Sequence, residues 1–148
     1  MSAENIEVVR RIYEALARRD TTTIFALYDP EVEFYFARGT FQDRIGQADV
    51  YRGYAGLREI DRELRGAFEN FETTSEDLID AGERVVSVSR YRARGRSVSR
   101  YRARGRGSGV EVDGPLQFGL WTIRNHRVVR VDWFDTREQA IAAAGLSE

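Results

Sequence analysis

Leu116-Gln117-Phe118-Gly119-Leu120-Trp121-Thr122-Ile123, then Arg124-Asn125-His126-Arg127, then Val128-Val129-Arg130-Val131-Asp132-Trp133-Phe134 reads as two β-strands joined by a tight turn. Apolar and aromatic residues dominate both runs. The four polar residues between them include Asn125, a residue that tolerates the left-handed backbone a two-residue hairpin turn requires. An antiparallel hairpin near the C-terminal end of the sequence is the first fixed point, and the other elements are read outward from it.

Towards the C-terminus, Thr136 and Gln139 have capping-box spacing ahead of a helix over Ala140 to Ala144, and Gly145 suits the position just past its end. Towards the N-terminus, Gly105-Arg106-Gly107-Ser108-Gly109 signals a turn, and Val85 onward reads as a strand. Ala81-Gly82 forms a turn and Phe71 to Asp80 another strand. Leu57, Ile60, Leu64 and Phe68 recur at helical spacing with charges between them. Residues 37–53, with three glycines, read as a loop able to cover a pocket mouth, and Val32 to Phe36 as a short strand. Asp20 with Thr21 to Thr23 offers caps for a short helix carrying Ile24, Phe25, Leu27 and Tyr28, which ends before Asp29-Pro30. Ile6, Val9, Ile12, Tyr13 and Leu16 mark the apolar face of the first helix, with Glu4, Glu7, Arg10, Arg11 and Arg18 opposite. Two helices, a strand, a helix, a four-strand meander and a terminal helix predict an α+β fold. A curved, mostly antiparallel sheet wrapped around the helices is the natural packing.

The 148 residues, 42% apolar and 32% charged, suit one domain spanning 1–148. Zero Cys and one His remove thiolate and imidazole-rich metal sites, so neither a metal nor a cofactor is expected. The N-terminal residues carry no basic and apolar leader, and no apolar run approaches the roughly 18 residues of a membrane span. A cytoplasmic protein with no membrane partner is the expectation.

The formal net charge of −1 hides a segregation. All the basic residues are Arg, and eight of them fall in residues 87–106, which contain no acid; with those eight set aside the chain carries −9. The segment is a ten-residue string written twice: Ser87-Val88-Ser89-Arg90-Tyr91-Arg92-Ala93-Arg94-Gly95-Arg96 recurs unchanged as Ser97 to Arg106. Two copies make no solenoid, so 87–96 and 97–106 read as a tandem duplication within one strand or hairpin. Ten is even, so an added copy preserves the inward and outward alternation of the flanking strand, and either copy can fill the same sheet positions. The expectation is a looped-out copy or a partly extended hairpin within a homodimer. In a strand the arginines share one face with Val88, opposite Ser89, Tyr91 and Ala93. That face is solvated or meets a partner, because unpaired charge is costly to bury. Nucleic acid is a poor fit for it: Tyr91 and Tyr101 lie on the other face, and the rest of the chain is acidic.

Several strings, in this order and spacing, resemble the SnoaL-like branch of the nuclear transport factor 2-like superfamily. They are Val9-Arg10-Arg11-Ile12-Tyr13-Glu14-Ala15-Leu16, Leu27-Tyr28-Asp29-Pro30-Glu31-Val32-Glu33, Tyr51-Arg52-Gly53-Tyr54-Ala55-Gly56-Leu57 and Val128 to Phe134. The resemblance implies a cone with a ligand pocket, often a second face for dimerisation, and functions that range from isomerases, cyclases and epoxide hydrolases to noncatalytic binders. The ketosteroid isomerase pattern puts Ile12, Phe34 and Gly119 where its Tyr, base and second oxyanion donor would stand, so those roles do not transfer. The limonene epoxide hydrolase pattern places a carboxylate at Asp132, with no Asp near Ser89-Arg90-Tyr91 to complete it. The polyketide cyclase pattern needs a His near the pocket, and His126 falls in the expected hairpin turn.

Asp132 is the candidate catalytic residue, a general base if desolvated; its alternative is an ion pair with Arg130, which shares its strand face together with Val128 and Phe134. Tyr13, Tyr28, Tyr35, Tyr54 and Trp121 are candidate ligand contacts, since aromatics supply apolar area with a polar handle; core packing is their alternative. Glu33 is a pocket-facing or solvated strand residue, and Arg52, at the entry to the third helix, can meet an anionic ligand or solvent. The function these residues support is binding of a small, mainly apolar molecule, with isomerase, cyclase or hydrolase chemistry open. The alternative is a noncatalytic protein using the fold for ligand capture or dimerisation.

Overall fold

The computed structural model describes residues 2–36, 50–95 and 111–146. Helix α1 (Ser2–Arg18) and helix α2 (Thr21–Leu27) lead into strand β1 (Tyr28–Phe36); strand β2 (Val50–Arg52) precedes helix α3 (Gly53–Ala67). Strands β3 (Phe68–Ala81), β4 (Arg84–Gly95), β5 (Glu111–Arg124) and β6 (Arg127–Phe134) follow, and helix α4 (Arg137–Ala143) closes the order. The six strands form one curved sheet in the order β2-β1-β6-β5-β4-β3. It is mixed: β1 and β6 run parallel, and every other neighbouring pair is antiparallel. The expected α+β architecture is present.

Local chemistry sets the joints. The Asp20 carboxylate accepts from the Thr23 backbone N–H at 3.2 Å and from its hydroxyl at 2.6 Å, capping α2. Asn125 and His126 both take positive φ, 51° and 64°, the mark of the two-residue turn that joins β5 to β6 without splaying them. At α4, Thr136 and Gln139 form the full capping box, and Gly145 at φ 76° ends the helix.

Several boundaries differ from expectation, β5 for one beginning at Glu111 instead of Leu116. Tyr28 opens β1 instead of closing α2, because the residue before Pro30 is pushed out of the helical region and the extended conformation propagates back from it. Phe68 begins β3 rather than ending α3, in keeping with its aromatic strand preference just after Gly66. Val50 to Arg52, expected as loop, form an edge strand through pairing with β1, with Phe34 opposite Tyr51. The remainder of that loop, residues 37–49, the second copy of the repeat and the Gly105 to Gly109 turn lie outside the described residues.

The sheet buries both faces. On the concave side Val9, Ile12 and Tyr13 of α1 pack against Val32, Phe34, Val85, Trp121, Val128 and Val131. On the convex side Ala140, Ile141 and Ala144 cover Val86, Val88, Phe118 and Leu120. Asn5 ties α1 to the β3–β4 turn by donating to the Gly82 carbonyl at 3.1 Å. None of the described helices is long and apolar enough to cross a membrane.

Strand β4 carries Ser87 to Gly95 of the first repeat copy, paired with β3 and β5 through register shifts in both ladders. Ser87, Ser89, Tyr91 and Ala93 are buried on the concave face, while Arg90, Arg92 and Arg94 are exposed. Acids flank that Arg row: Arg90 pairs with Glu76 at 2.8 Å, Glu72 stands opposite Arg92, and Asp113 and Glu111 hold the register positions opposite Arg92 and Arg94 on β5. Strand β3 thus supplies negative charge that the repeat lacks.

Candidate functional site

The concave face opens on a cavity of about 320 Å³ between α1, α3, β3 and the centre of the sheet. Its inner wall is aromatic. Tyr13 projects from α1, Tyr28 and Phe34 from β1, Tyr91 from β4, Trp121 from β5 and Trp133 from β6. The Trp121 ring lies 5.8 Å from Tyr13 and 5.8 Å from Trp133, centroid to centroid, and Tyr91 stacks on Phe71 at 5.5 Å. Such tilted and stacked pairs hold rings in place and keep their faces available to another ring. Leu57, Ile60 and Leu64 of α3 form the apolar roof, spaced to present one helix face. Among the described residues, charge lies at the mouth, where Arg65 pairs with Asp61 at 2.8 Å and Arg19 donates to Asn70 at 2.8 Å.

Beside this wall sits a small polar cluster. Tyr13 Oη donates to Ser87 Oγ at 3.1 Å, and Trp121 Nε1 donates to the same oxygen at 2.8 Å. Gly119 makes room for the cluster: a Cβ there would stand 2.9 Å from Ser87 Oγ, 2.9 Å from Trp133 Cζ3 and 3.0 Å from Trp121 Nε1. Ser89, two residues along β4, is fully buried, and its Oγ makes no hydrogen bond. Burial pushes the Tyr13 phenol up from its ordinary pKa, while the hydroxyls of Ser87 and, more weakly, Ser89 pull it back; Ser89 lies beside the phenol without reaching hydrogen-bond geometry. Burial likewise raises Tyr28, with Tyr13 adding to the shift. Both phenols are neutral donors at neutral pH.

The structure gathers Tyr13, Tyr28 and Trp121 in the cavity wall and places the other candidates elsewhere. Tyr54, at the start of α3, turns its hydroxyl to the carbonyls of Phe25 and Tyr28, each at 3.0 Å, and its ring packs on Phe25. Glu33, Tyr35, Arg52 and Asp132 share the convex face with Arg130. Glu33 accepts from Tyr35 at 3.0 Å and from Arg52 at 3.2 Å, which hold its carboxyl below the usual range. Arg130 lies 4.0 Å above the Tyr35 ring and forks onto Asp132, with hydrogen bonds of 2.8 and 2.9 Å.

The expected grouping of Val128 with Arg130 and Asp132 does not form. Ile123 pairs with Val128 and Thr122 with Arg130, so Val129 is an extra residue in β6. This bulge turns Val128 and Val131 both into the concave core and sends Arg130 and Asp132 outward.

Sequence reasoning passed over Ser87, Ser89, Tyr91, Phe34 and Trp133 as site residues. The signal for the first three was present: two serines and a tyrosine at period two, opposite arginines, describe a polar patch inside an aromatic wall. Phe34 and Gly119, the positions where the isomerase pattern would seat its carboxyls, both face the concave side. Among the described residues no group of three or more His, Cys, Asp or Glu is gathered to hold a metal ion.

The SnoaL-like domain model matches residues 9–131, most of the chain and nearly all the elements that build the cavity. The chain belongs to the SnoaL-like domain family. Solved structures agree on the fold of this SnoaL-like protein. A nuclear transport factor 2-like protein of unknown function from Burkholderia pseudomallei K96243 is 20% identical with a TM-score of 0.71, over 94% of this chain and 95% of that one. TerC, co-crystallised with polyporic acid, is 19% identical with a TM-score of 0.71, over 96% of this chain and 98% of that one. A protein of unknown function with a cystatin-like fold from Xanthomonas campestris is 16% identical with a TM-score of 0.69, over 97% and 98%. None of the curated proteins compared with the chain matches it.

Proposed function

We propose that this SnoaL-like protein binds a small, mainly apolar ring compound in the concave cavity. The observation that carries the reading is the cavity itself: about 320 Å³, walled by tyrosines, phenylalanines and tryptophans, with the charged groups among the described residues at its mouth. That volume lies at the lower end of small-molecule sites, and a lining of aromatic faces with a few fixed polar atoms is how such sites hold and orient a ligand. TerC, a protein of the same fold, was co-crystallised with polyporic acid, which is therefore a first compound to test.

Binding is favoured over acid–base catalysis by the chemistry of the inner wall. Hydroxyls and two indoles stand there, and the carboxylates among the described residues that reach the cavity, Asp61, Glu69 and Asp135, are exposed residues at its mouth. Neutral phenols with raised pKa values donate hydrogen bonds and are poorly suited to abstract protons at neutral pH. Titration of the purified protein with naphthalene and anthracene derivatives, read by quenching of Trp121 and Trp133, tests the reading. Saturable quenching that a Trp121→Ala variant loses supports it; no saturable binding by any ring compound overturns it.

A homodimer belongs to the same proposal. Helix α4 packs on β4, β5 and β6, which leaves the convex side of β1 and β2, with Glu33, Tyr35 and Arg52, uncovered by any described helix. Sedimentation of the wild type and an Arg52→Glu, Tyr35→Ala variant tests this, since a monomer in both would end it.

A further inference from the structure

Strand β3 ends the sheet on the side away from β2, and among the described residues no strand pairs with its outer edge. It is also thinly covered. None of its fourteen residues is buried, and Phe71, Leu78 and Ile79 are only half-buried, whereas β4 beside it buries most of its residues. Helix α1 is hydrogen-bonded near the two ends of β3, from Asn5 to Gly82 and from Arg19 to Asn70. A long exposed edge of this kind is a template for another strand.

The edge carries charge of one sign. Glu69, Glu72, Glu76, Asp77 and Asp80 belong to β3, which has no Lys or Arg. How it meets an arginine-bearing strand is visible on its inner side, where β4 lies antiparallel. Arg92 stands opposite Glu72, and Arg90 stands opposite Thr74 and reaches Glu76 at 2.8 Å, while Ser89 and Tyr91 turn to the other face opposite Ser75 and Thr73. The side chains of a strand stand between both of its neighbours, so β3 offers the same alternation to a partner on its outer side. Among the described residues Glu69, Glu72 and Asp77 form no ion pair, which leaves carboxylates for that partner. The chain spells the fitting strand twice: β4 takes Ser87 to Gly95, and Ser97 to Arg106 repeats the copy residue for residue.

We infer that the outer edge of β3 is a docking site for the second repeat copy of a neighbouring molecule, added to the sheet as an antiparallel strand with its arginines beside Glu72, Glu76 and Asp77. Direction points to a neighbour as the source. The chain leaves β4 opposite Phe68, the first residue of β3, so its own next residues would enter the outer edge from that end and run parallel to it. The match that β4 displays is antiparallel. In such an addition the backbone bonds supply affinity and the alternate side chains supply selectivity. Each molecule carries one edge and one strand of this kind, so two molecules can exchange them mutually. This contact lies at the opposite end of the sheet from the one proposed at β1 and β2, and does not depend on ligand binding.

A labelled peptide with the sequence of Ser97 to Arg106, titrated with the full chain and read by fluorescence anisotropy, tests this. Saturable binding is expected, weakened by salt and roughly tenfold tighter than that of a peptide of the same composition with its four arginines in one block, the scale of two or three exposed ion pairs. Glu72→Arg, Asp77→Arg should lose the peptide and keep the wild-type circular dichroism; Arg52→Glu, Tyr35→Ala should keep the peptide. Sedimentation of the Arg52→Glu, Tyr35→Ala protein should show association that rises with concentration and that excess peptide dissolves. Absent binding, or equal binding of both peptides, overturns the strand addition without recourse to any variant. Binding that survives in folded Glu72→Arg, Asp77→Arg overturns its placement on β3. Peptide binding by a chain that stays monomeric at every concentration overturns the neighbouring molecule as the source.

Discussion

Arg130 and Asp132 grip each other along one strand: Nε and Nη2 of the guanidinium meet the two carboxylate oxygens at 2.8 and 2.9 Å, on the side of β6 turned away from the cavity. The bond to Asp132, more than any other contact, holds the Arg130 guanidinium above its ordinary pKa. Asp132→Asn is therefore expected to leave ring-compound affinity within about twofold of wild type, and to change stability by about 1 kcal/mol or less, as partly exposed ion pairs do. Quenching titration and thermal unfolding check it. A large loss of binding would return Asp132 to the site.

Gly119 is the position where crowding should tell most. Its Cβ would enter a space already shared by Ser87, Trp121 and Trp133, and a buried cluster between sheet and rings has little freedom to give. Gly119→Ala is expected to cost about 1–3 kcal/mol through overpacking, seen as a melting temperature lowered by several degrees. Gly66 is the contrasting case, exposed in α3, where an added Cβ would meet nothing within 4 Å. There the same substitution should add up to about 1 kcal/mol by restricting the unfolded chain.

Two carboxylates set the acid side of the stability curve. Asp20 is lowered first by the Thr23 hydroxyl and then by its N–H; Glu33 is lowered first by Tyr35 and then by Arg52. A group whose folded pKa lies below its unfolded value contributes its full stability above the unfolded pKa and loses it as pH falls through the folded one. Stability from these two is thus complete above about pH 5 and declines below their ordinary values of 3.8 and 4.5. Melting curves from about pH 3 to 7 should show a shallower acid decline in Asp20→Asn and Glu33→Gln than in the wild type. An unchanged slope in both would remove these groups from the account.

Excising ten residues of the repeat is a cleaner test than it first looks. Removing 87–96 or 97–106 gives the same polypeptide, because the copies are identical. Among the described residues, the pairing of β4 with β3 and β5 runs from Arg84 to Gly95. The shortened protein should therefore keep its circular dichroism and its ring-compound affinity. An unfolded product would show that the second copy is needed for the sheet.

How much of this was legible follows from the range of each interaction. Helix α1, the Asn125-His126 turn and the Thr136–Gln139 cap could be read because their determinants lie within a few residues of one another. Val50 to Arg52 could not, since three residues become a strand only by meeting β1, nearly twenty positions back. Tyr54 looked like a pocket residue and caps two carbonyls instead, a role set by tertiary neighbours. The aromatic wall was foreseeable in kind and in three of its members. The serines at its base were visible in the repeat but were outweighed there by its arginines.

The bulge at Val129 makes residue count, more than residue type, the variable that decides what this cavity contains. Loss of Val129 would restore simple parity to β6 and keep Val128, Val131 and Trp133 facing inward. Loss of Val131, two positions on, would exchange the facing of everything after it, bringing the Asp132 carboxylate to the inward position of Val131 and turning the Trp133 indole outward. A single-residue deletion could thus turn an acid toward the concave face with no substitution at all.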